Sequence, residues 1–301
     1  MNMIEIKNLK KSYGHIEAVK GISFEVGEGQ LFAFLGCNGA GKSTTIDMLC
    51  TFLKPDGGHV KIGDYILGKE DERIKQLIGI VFQDHLLDDL LTVEENLITR
   101  SSLYFHKKDK LKDIVYSIMK EMGIENIKDR LYGTLSGGQK RRCDIARALI
   151  HQPRILFLDE PTTGLDPQTR NEVWKTIIQL QKKNNMTIFL TTHYMEEAMN
   201  ADYVVVMDEG KIVAKGTPLQ LRKQYTKDKL KLIPKDKTFV EKLKETYIYQ
   251  YDGRELTVML DNTFEALPLL NKYINEIEDF EVIRGNMDDA FIEITGKELE
   301  V

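Results

Sequence analysis

Gly36-Cys37-Asn38-Gly39-Ala40-Gly41-Lys42-Ser43-Thr44 is the segment that most restricts what this chain can fold into. It has the form G-x-x-x-x-G-K-S/T and lies between an apolar run, residues 30–35, and a helical pattern over residues 43–53. That strand–loop–helix setting is the one the motif needs, and it points to an α/β fold. The glycines let backbone N–H groups turn inward around phosphate oxygens, and the helix N-terminus adds partial positive charge. Lys42 is then expected to reach the β- and γ-phosphates, and the Ser43 hydroxyl to ligate Mg²⁺. A Gly-rich turn that merely caps a helix would need neither the lysine nor the serine.

The rest of the chain fits this frame. Residues 4–6 and 22–26 alternate apolar and polar, as half-buried strands do, and residues 59–62 and 78–82 are further strand candidates. Between about 84 and 134 Leu and Ile recur at helical spacing among charged residues, which predicts a helical insert reaching into 150. Residues 155–158, 187–190 and 203–207 are continuous apolar runs, the pattern of parallel strands buried on both faces, with a helix over 168–183. Asp208-Glu209-Gly210 predicts a hairpin turn into a strand at 211–214. After Thr217-Pro218 the texture shifts. A Lys-rich strand region is followed by helix 238–244, strand 247–251, strand 256–260, helix 264–274 and strand 280–283. That βαββαβ order is ferredoxin-like, so a small α+β C-terminal domain is expected.

Composition narrows the function. Among 301 residues 30% are charged and the net charge is −5, which argues against a nucleic-acid coat. No stretch approaches the ~20 apolar residues of a spanning helix, and the start, Met-Asn-Met-Ile-Glu-Ile-Lys, has no apolar leader core. The chain is therefore expected in the cytosol. Its three cysteines have neither metal nor disulfide spacing.

Two further motifs carry chemistry. Ile155-Leu156-Phe157-Leu158 delivers Asp159 and Glu160 to a sheet edge. Asp159 is suited to hold Mg²⁺, directly or through water, and Glu160, which should point the other way along the strand, to polarise an attacking water. Leu135-Ser136-Gly137-Gly138-Gln139 precedes a basic helix. By itself it reads equally as a second anion site or as an ordinary serine N-cap.

Taken with its neighbours, that string resembles the signature of the ATP-binding cassette (ABC) ATPases, a likeness covering residues 1–225. The resemblance implies a mixed-sheet core, an antiparallel β subdomain and a helical insert, with residues 226–301 as an accessory domain. It implies an ATPase converting ATP and water to ADP and phosphate. ATP would be bound by Tyr13, stacking on adenine, and by Gly36, Asn38, Gly39, Ala40, Gly41, Lys42, Ser43 and Thr44. Gln83 resembles the glutamine that senses Mg²⁺ and the γ-phosphate, Asp166 the D-loop acid, and His193 the switch histidine. Lys42, Gln83, Glu160 and His193 would be catalytic, with Mg²⁺ on Ser43, Gln83 and Asp159. Leu135, Ser136, Gly137, Gly138 and Gln139 would contact the ATP of a second cassette. One copy of each motif therefore implies a head-to-tail dimer, most simply of identical chains. Cys37 departs from the common pattern and suggests thiol sensitivity, because a helix N-terminus favours a thiolate.

The same resemblance implies a separate membrane permease, with this chain on the cytoplasmic face of the cell membrane. Leu86, Leu87, Leu90 and Leu91 are either a docking cluster for it or core of the insert. Residues 287–296, Met-Asp-Asp-Ala-Phe-Ile-Glu-Ile-Thr-Gly, resemble the tail of daunorubicin-resistance-type exporter ATPases, which serve exporters of drugs, lipids, polysaccharide or sodium. An importer cassette would share every catalytic residue. A translation-factor type would need two cassettes, a chromosome-maintenance type long heptad repeats, and a pure binding module would lack Glu160 or His193.

Overall fold

The computed structural model describes residues 2–105, 108–236, 238–243 and 248–297. The chain divides into two units, Met1–Lys215 and Gly216–Val301.

Strands β1 (Asn2–Tyr13) and β2 (Ile16–Gly27) form a long hairpin, with Tyr13 opposite Ile16 and Ile4 opposite Val26. β3 (Leu31–Leu35) is wholly buried and runs into the glycine loop and α1 (Lys42–Leu49). That helix stops short of the expected residue 53 because Thr51 turns left-handed, a conformation that ends a helix. β4 (Gly57–Ile62), β5 (Tyr65–Ile66), α2 (Asp71–Leu77) and β6 (Ile78–Val81) follow. The helical insert comprises α3 (Val93–Ser101), α4 (Lys108–Glu121) and α5 (Gly137–Leu149). β7 (Ile155–Asp159), α6 (Pro167–Asn184), β8 (Thr187–Thr192), α7 (Met195–Ala198), β9 (Tyr203–Asp208) and β10 (Lys211–Gly216) complete the alternation.

These strands build two sheets. One is antiparallel, in the order β2-β1-β4-β5; the other runs β10-β9-β3-β8-β7-β6, with β9, β3, β8, β7 and β6 mutually parallel. Aromatic residues lock the sheets together. Phe24 of β2 stacks on Phe32 of β3 at 5.2 Å between centroids, and Phe189 of β8 lies 4.9 Å from Phe32 and 5.2 Å from Phe157. Because they are parallel, β9, β3, β8, β7 and β6 all end at the same edge of the six-stranded sheet.

The second unit starts at Gly216, ten residues before the expected boundary, because α8 (Pro218–Tyr225) packs on the tail helix α11 (Met287–Thr295). Between them lie β11 (Asp228–Pro234), α9 (Thr238–Leu243), β12 (Tyr249–Tyr251), β13 (Leu256–Leu260), α10 (Ala266–Tyr273) and β14 (Ile277–Ile283). The sheet order is β12-β13-β11-β14 with all neighbours antiparallel, so two β-α-β units interleave. Lys244 and Tyr247, the expected ends of a helix and a strand, lie outside the described residues. In α11 Met287, Ala290 and Phe291 are buried and Ile294 is half-buried.

Phe189→Ala is expected to remove the centre of the aromatic cluster and cost about 3–5 kcal/mol. Urea unfolding followed by circular dichroism will show a lower midpoint if this packing joins the sheets.

Candidate functional site

The parallel register assembles the site. Leu35 pairs with Thr192, Asp159 with Thr191, and Val81 with Leu158, so the chains leaving β3, β8, β7 and β6 emerge side by side. Open α/β sheets bind their ligands at this carboxyl edge.

The glycine loop leaves β3 here. Gly41 caps α1 with φ at +102°, and a Cβ there would stand 2.4 Å from the Ala18 carbonyl oxygen, so only glycine fits. The tip of the next hairpin braces the loop, Gly210 N donating to Ala40 O at 3.0 Å. Lys42 is 5% exposed; its ammonium donates to Gly36 O at 2.8 Å and Cys37 O at 3.2 Å and lies 3.7 Å from Glu160 Oε1. Burial pulls its pKa down, while Glu160 and Asp159 act in the opposite sense.

Asp159 ends β7. Burial raises its pKa, and a hydrogen bond from Thr191 Oγ1 at 2.5 Å opposes the rise. The same Thr191 oxygen accepts Glu160 N at 3.1 Å. Glu160 departs from the expected strand alternation. Its φ of +45° is left-handed, and that turn rather than the pleat aims its carboxylate. Glu160 Oε2 accepts from Thr163 Oγ1 at 3.2 Å and stands 3.2 Å from His193 Nδ1, without the alignment of a hydrogen bond. The His193 ring rests on Tyr194 at 4.1 Å, and Arg170 covers Tyr194 at 4.0 Å.

Gln83 is exposed just after β6, and its backbone is held from the insert. Buried Arg141 of α5 donates to Phe82 O at 2.6 Å and to Gln83 O at 2.8 Å. Asp144, one turn on, takes His85 Nδ1 at 2.6 Å and the Tyr132 hydroxyl at 3.2 Å. Ser136 caps α5 in a full capping box with Gln139. Gly138 is required by packing, since a Cβ would stand 2.2 Å from Thr169 Cγ2 of α6. Asp166 caps α6 through Thr169, whose hydrogen bonds hold the exposed carboxyl below the usual range. Tyr13, half-exposed, ends the hairpin strand opposite the one whose Ala18 abuts Gly41.

Thus Lys42, Asp159, Glu160 and His193 meet at one edge. Residues 135–139 do not join them: among the described residues no hydrogen bond or ion pair links 135–139 to 36–44. Thr191, Arg141 and Gly210 were missed from sequence, because each acts through contacts remote along the chain. The thiols divide likewise. Cys37 is half-buried, while burial pushes Cys143 up to about 12 and Cys50 well above the ordinary range. Of the leucine cluster, Leu87 is buried, Leu91 is half-buried, and Leu86 and Leu90 are exposed.

A glycine phosphate loop beneath a strand-borne Asp-Glu pair and a histidine, with a capped glycine helix apart from them, defines an ATPase cassette. Comparisons agree. The ABC transporter family model matches residues 19–163. The linearmycin resistance ATP-binding protein LnrL of Bacillus subtilis is 42% identical over 73% of this chain and 70% of its own. The daunorubicin/doxorubicin resistance ATP-binding protein DrrA of Streptomyces peucetius is 34% identical over 97% and 92%. A Nod factor export ATP-binding protein I of a Rhizobium species is 33% identical over 99% and 98%. The solved structure of cbiO1 from Clostridium perfringens superposes with a TM-score of 0.69 and 32% identity, over 73% of this chain and 90% of that one. The dimeric cassette MJ0796, solved with ADP and Pi, gives 0.65 and 27%, over 71% and 98%. This chain belongs to the ABC transporter ATP-binding proteins, in the daunorubicin-resistance-type subgroup. It is an ATP-binding, ATP-hydrolysing transporter subunit. Among the described residues no helix is long and apolar enough to cross a membrane.

Gly138→Ala is expected to push α5 off α6 and cost about 1–3 kcal/mol. Pairing it with Thr169→Ala should restore most of the loss in thermal unfolding.

Proposed function

We propose that this chain drives an exporter of a drug, lipid, polysaccharide or ion, as a cassette dimer bound to a separate permease on the cytoplasmic face of the cell membrane. The likeness to DrrA and to the Nod factor export protein supports export, because it runs through the second unit as well as the cassette. An ABC importer is the competing reading, since the cassette itself is common to both.

The chemistry rests on one observation, a Glu160 carboxylate set between Lys42 and His193. Tyr13 stacks on adenine, and residues 36–44 wrap the phosphates with their N–H groups. Lys42 exchanges its hold on the loop carbonyls for the β- and γ-phosphates. Glu160 takes a proton from the water that attacks the γ-phosphorus, His193 steadies the phosphoryl oxygens, and ADP leaves. Ser43, Gln83 and Asp159 offer only oxygen donors, the set Mg²⁺ prefers, and a dication beside Asp159 would offset the burial that raises its pKa. Mg²⁺ would neutralise phosphate charge there. Ser136 and its glycine helix complete the site of the second chain, since they stand apart from their own phosphate loop. Asp166 lies at the start of α6, which α5 packs against through Gly138. The dimeric MJ0796 cassette supports this pairing. The second unit stabilises the pair.

Glu160→Gln should bind ATP, lose about 10²–10⁴-fold in turnover, and accumulate a closed dimer by size exclusion with ATP. Turnover at the wild-type rate would rule out Glu160 as base. Truncation after Lys215 should weaken that dimer in the same assay; an unchanged dimer would remove the second unit from this role. In inverted vesicles carrying the chain and its membrane partner, ATP-driven accumulation of cargo in the lumen would mark export and ATP-driven loss of preloaded cargo would mark import.

A further inference from the structure

Glu160 and His193 sit on different loops, one leaving β7 and one leaving β8, yet their side chains stand 3.2 Å apart. Thr191 ties the strand ends, but among the described residues its hydroxyl bonds only to Asp159 Oδ1 and the backbone N–H of Glu160. Past that point the loops run on, one through Pro161 and Thr162, the other through His193 and Tyr194. A second tie lies beneath them. Glu197 of α7 is 1% exposed, and its two carboxylate oxygens are taken separately, one by the loop after β7 and one by the last residue of β8. The Thr162 hydroxyl donates to Oε1 and the Thr192 hydroxyl to Oε2. Both threonines are as buried as the glutamate. Thr192 Oγ1 also accepts Tyr194 N at 2.9 Å, which closes the backbone around His193. One side chain thus fixes the residue two after Glu160 and the residue just before His193.

Burying a carboxylate is costly unless its oxygens are hydrogen-bonded. An apolar side chain would fill the same space without that cost. It would, however, leave the hydroxyl protons of two buried threonines without an acceptor and nothing to set the spacing of the loops. Glu197 touches neither Lys42 nor Glu160 nor His193 in any hydrogen bond or ion pair among the described residues, so it acts through the threonines.

We propose that Glu197 is a positioning residue for ATP hydrolysis: its carboxylate clasps Thr162 and Thr192 and so holds the Glu160 loop in register with the His193 loop. The inference rests on the roles assigned above to Glu160 and His193. It has a distinct kinetic signature, because the groups that hold adenine and the phosphates before the chemical step are on β1, the glycine loop and α1. Loosening the clasp should spare ATP binding and slow the step.

The test is steady-state ATPase kinetics on the full-length chain. Glu197→Ala should lower kcat about tenfold or more, given that misplacement by about 1 Å can cost on the order of 100-fold, with KM for ATP within about twofold. Glu197→Gln, which can accept from one threonine and donate to the other, should recover most of kcat. Thr162→Val should repeat the loss and Thr162→Ser should reverse it, which keeps the test decisive if Glu197→Ala does not fold. The double variant Glu197→Ala/Thr162→Val should be no slower than the worse single one, as expected of partners in one contact. An unchanged kcat in both Glu197→Ala and Thr162→Val, with Glu160→Gln inactive, overturns the clasp and leaves the site intact. Parallel losses of kcat, ATP affinity and thermal midpoint that Gln and Ser fail to reverse also overturn it, since they mark a merely structural role. Wild-type turnover by Glu160→Gln instead removes the site reading on which the inference depends.

Discussion

In a parallel sheet neighbouring strands finish at the same edge, and β3, β8, β7 and β6 do so with each neighbour within one residue of register. Lys42, His193, Glu160 and Gln83 are separated by up to about 150 positions, yet each is the first or second chemical group past one of these strand ends or their loops. Everything else in the first unit serves that edge. The phenylalanine cluster fixes the sheet against the β1–β2 hairpin, which in turn leaves Ala18 against Gly41. The β9–β10 tip, beside the same Ala18, holds Ala40 through Gly210 N.

Gathering charges at a partly buried edge has an energetic consequence. Lys42 and Asp159 are each pushed by burial towards their neutral forms, and each is drawn back by partners across the site. Hydroxyls do much of the compensation. Thr191 serves Asp159 and the Glu160 backbone, Thr163 serves the Glu160 side chain, and Thr162 and Thr192 serve Glu197. A hydroxyl satisfies a buried carboxylate without adding net charge, so Lys42 remains the cation nearest Glu160 at this edge.

The helical insert is tied to this edge by α5. β6 is the outer strand of its sheet, and its outward carbonyls would otherwise be open for pairing. His151, Arg147 and Arg141 reach Ile78 O, Ile80 O and Phe82 O in succession, at 2.8, 2.5 and 2.6 Å. Arg141 goes one residue further, to Gln83 O. The helix that begins at the Ser136 cap is therefore mechanically joined to the loop that carries Gln83, whereas among the described residues no hydrogen bond or ion pair links the side chains of the two motifs.

The glycine loop, the apolar runs ending in acid or histidine, the helical insert and the strand order of the second unit were all legible in the sequence. Each depends on spacing along the chain, and the period of side chains fixes which residues face the core. Glu160 was legible as a residue but not as a geometry, because its left-handed backbone is imposed by the strand end and Thr191 rather than by its own preference. α2 and α7 gave no signal, being too short for a period, and so the buried Glu197 was passed over. The start of the second unit was misplaced for a related reason: α8 looks like the end of the cassette until α11, some seventy residues later, packs against it. What the chain specified by itself is which groups sit at strand ends and loop tips, since that follows from local patterning. What only the tertiary structure decided is which of those groups touch, because hydrogen bonds among threonines, carboxylates and arginines join positions with no common period in the sequence.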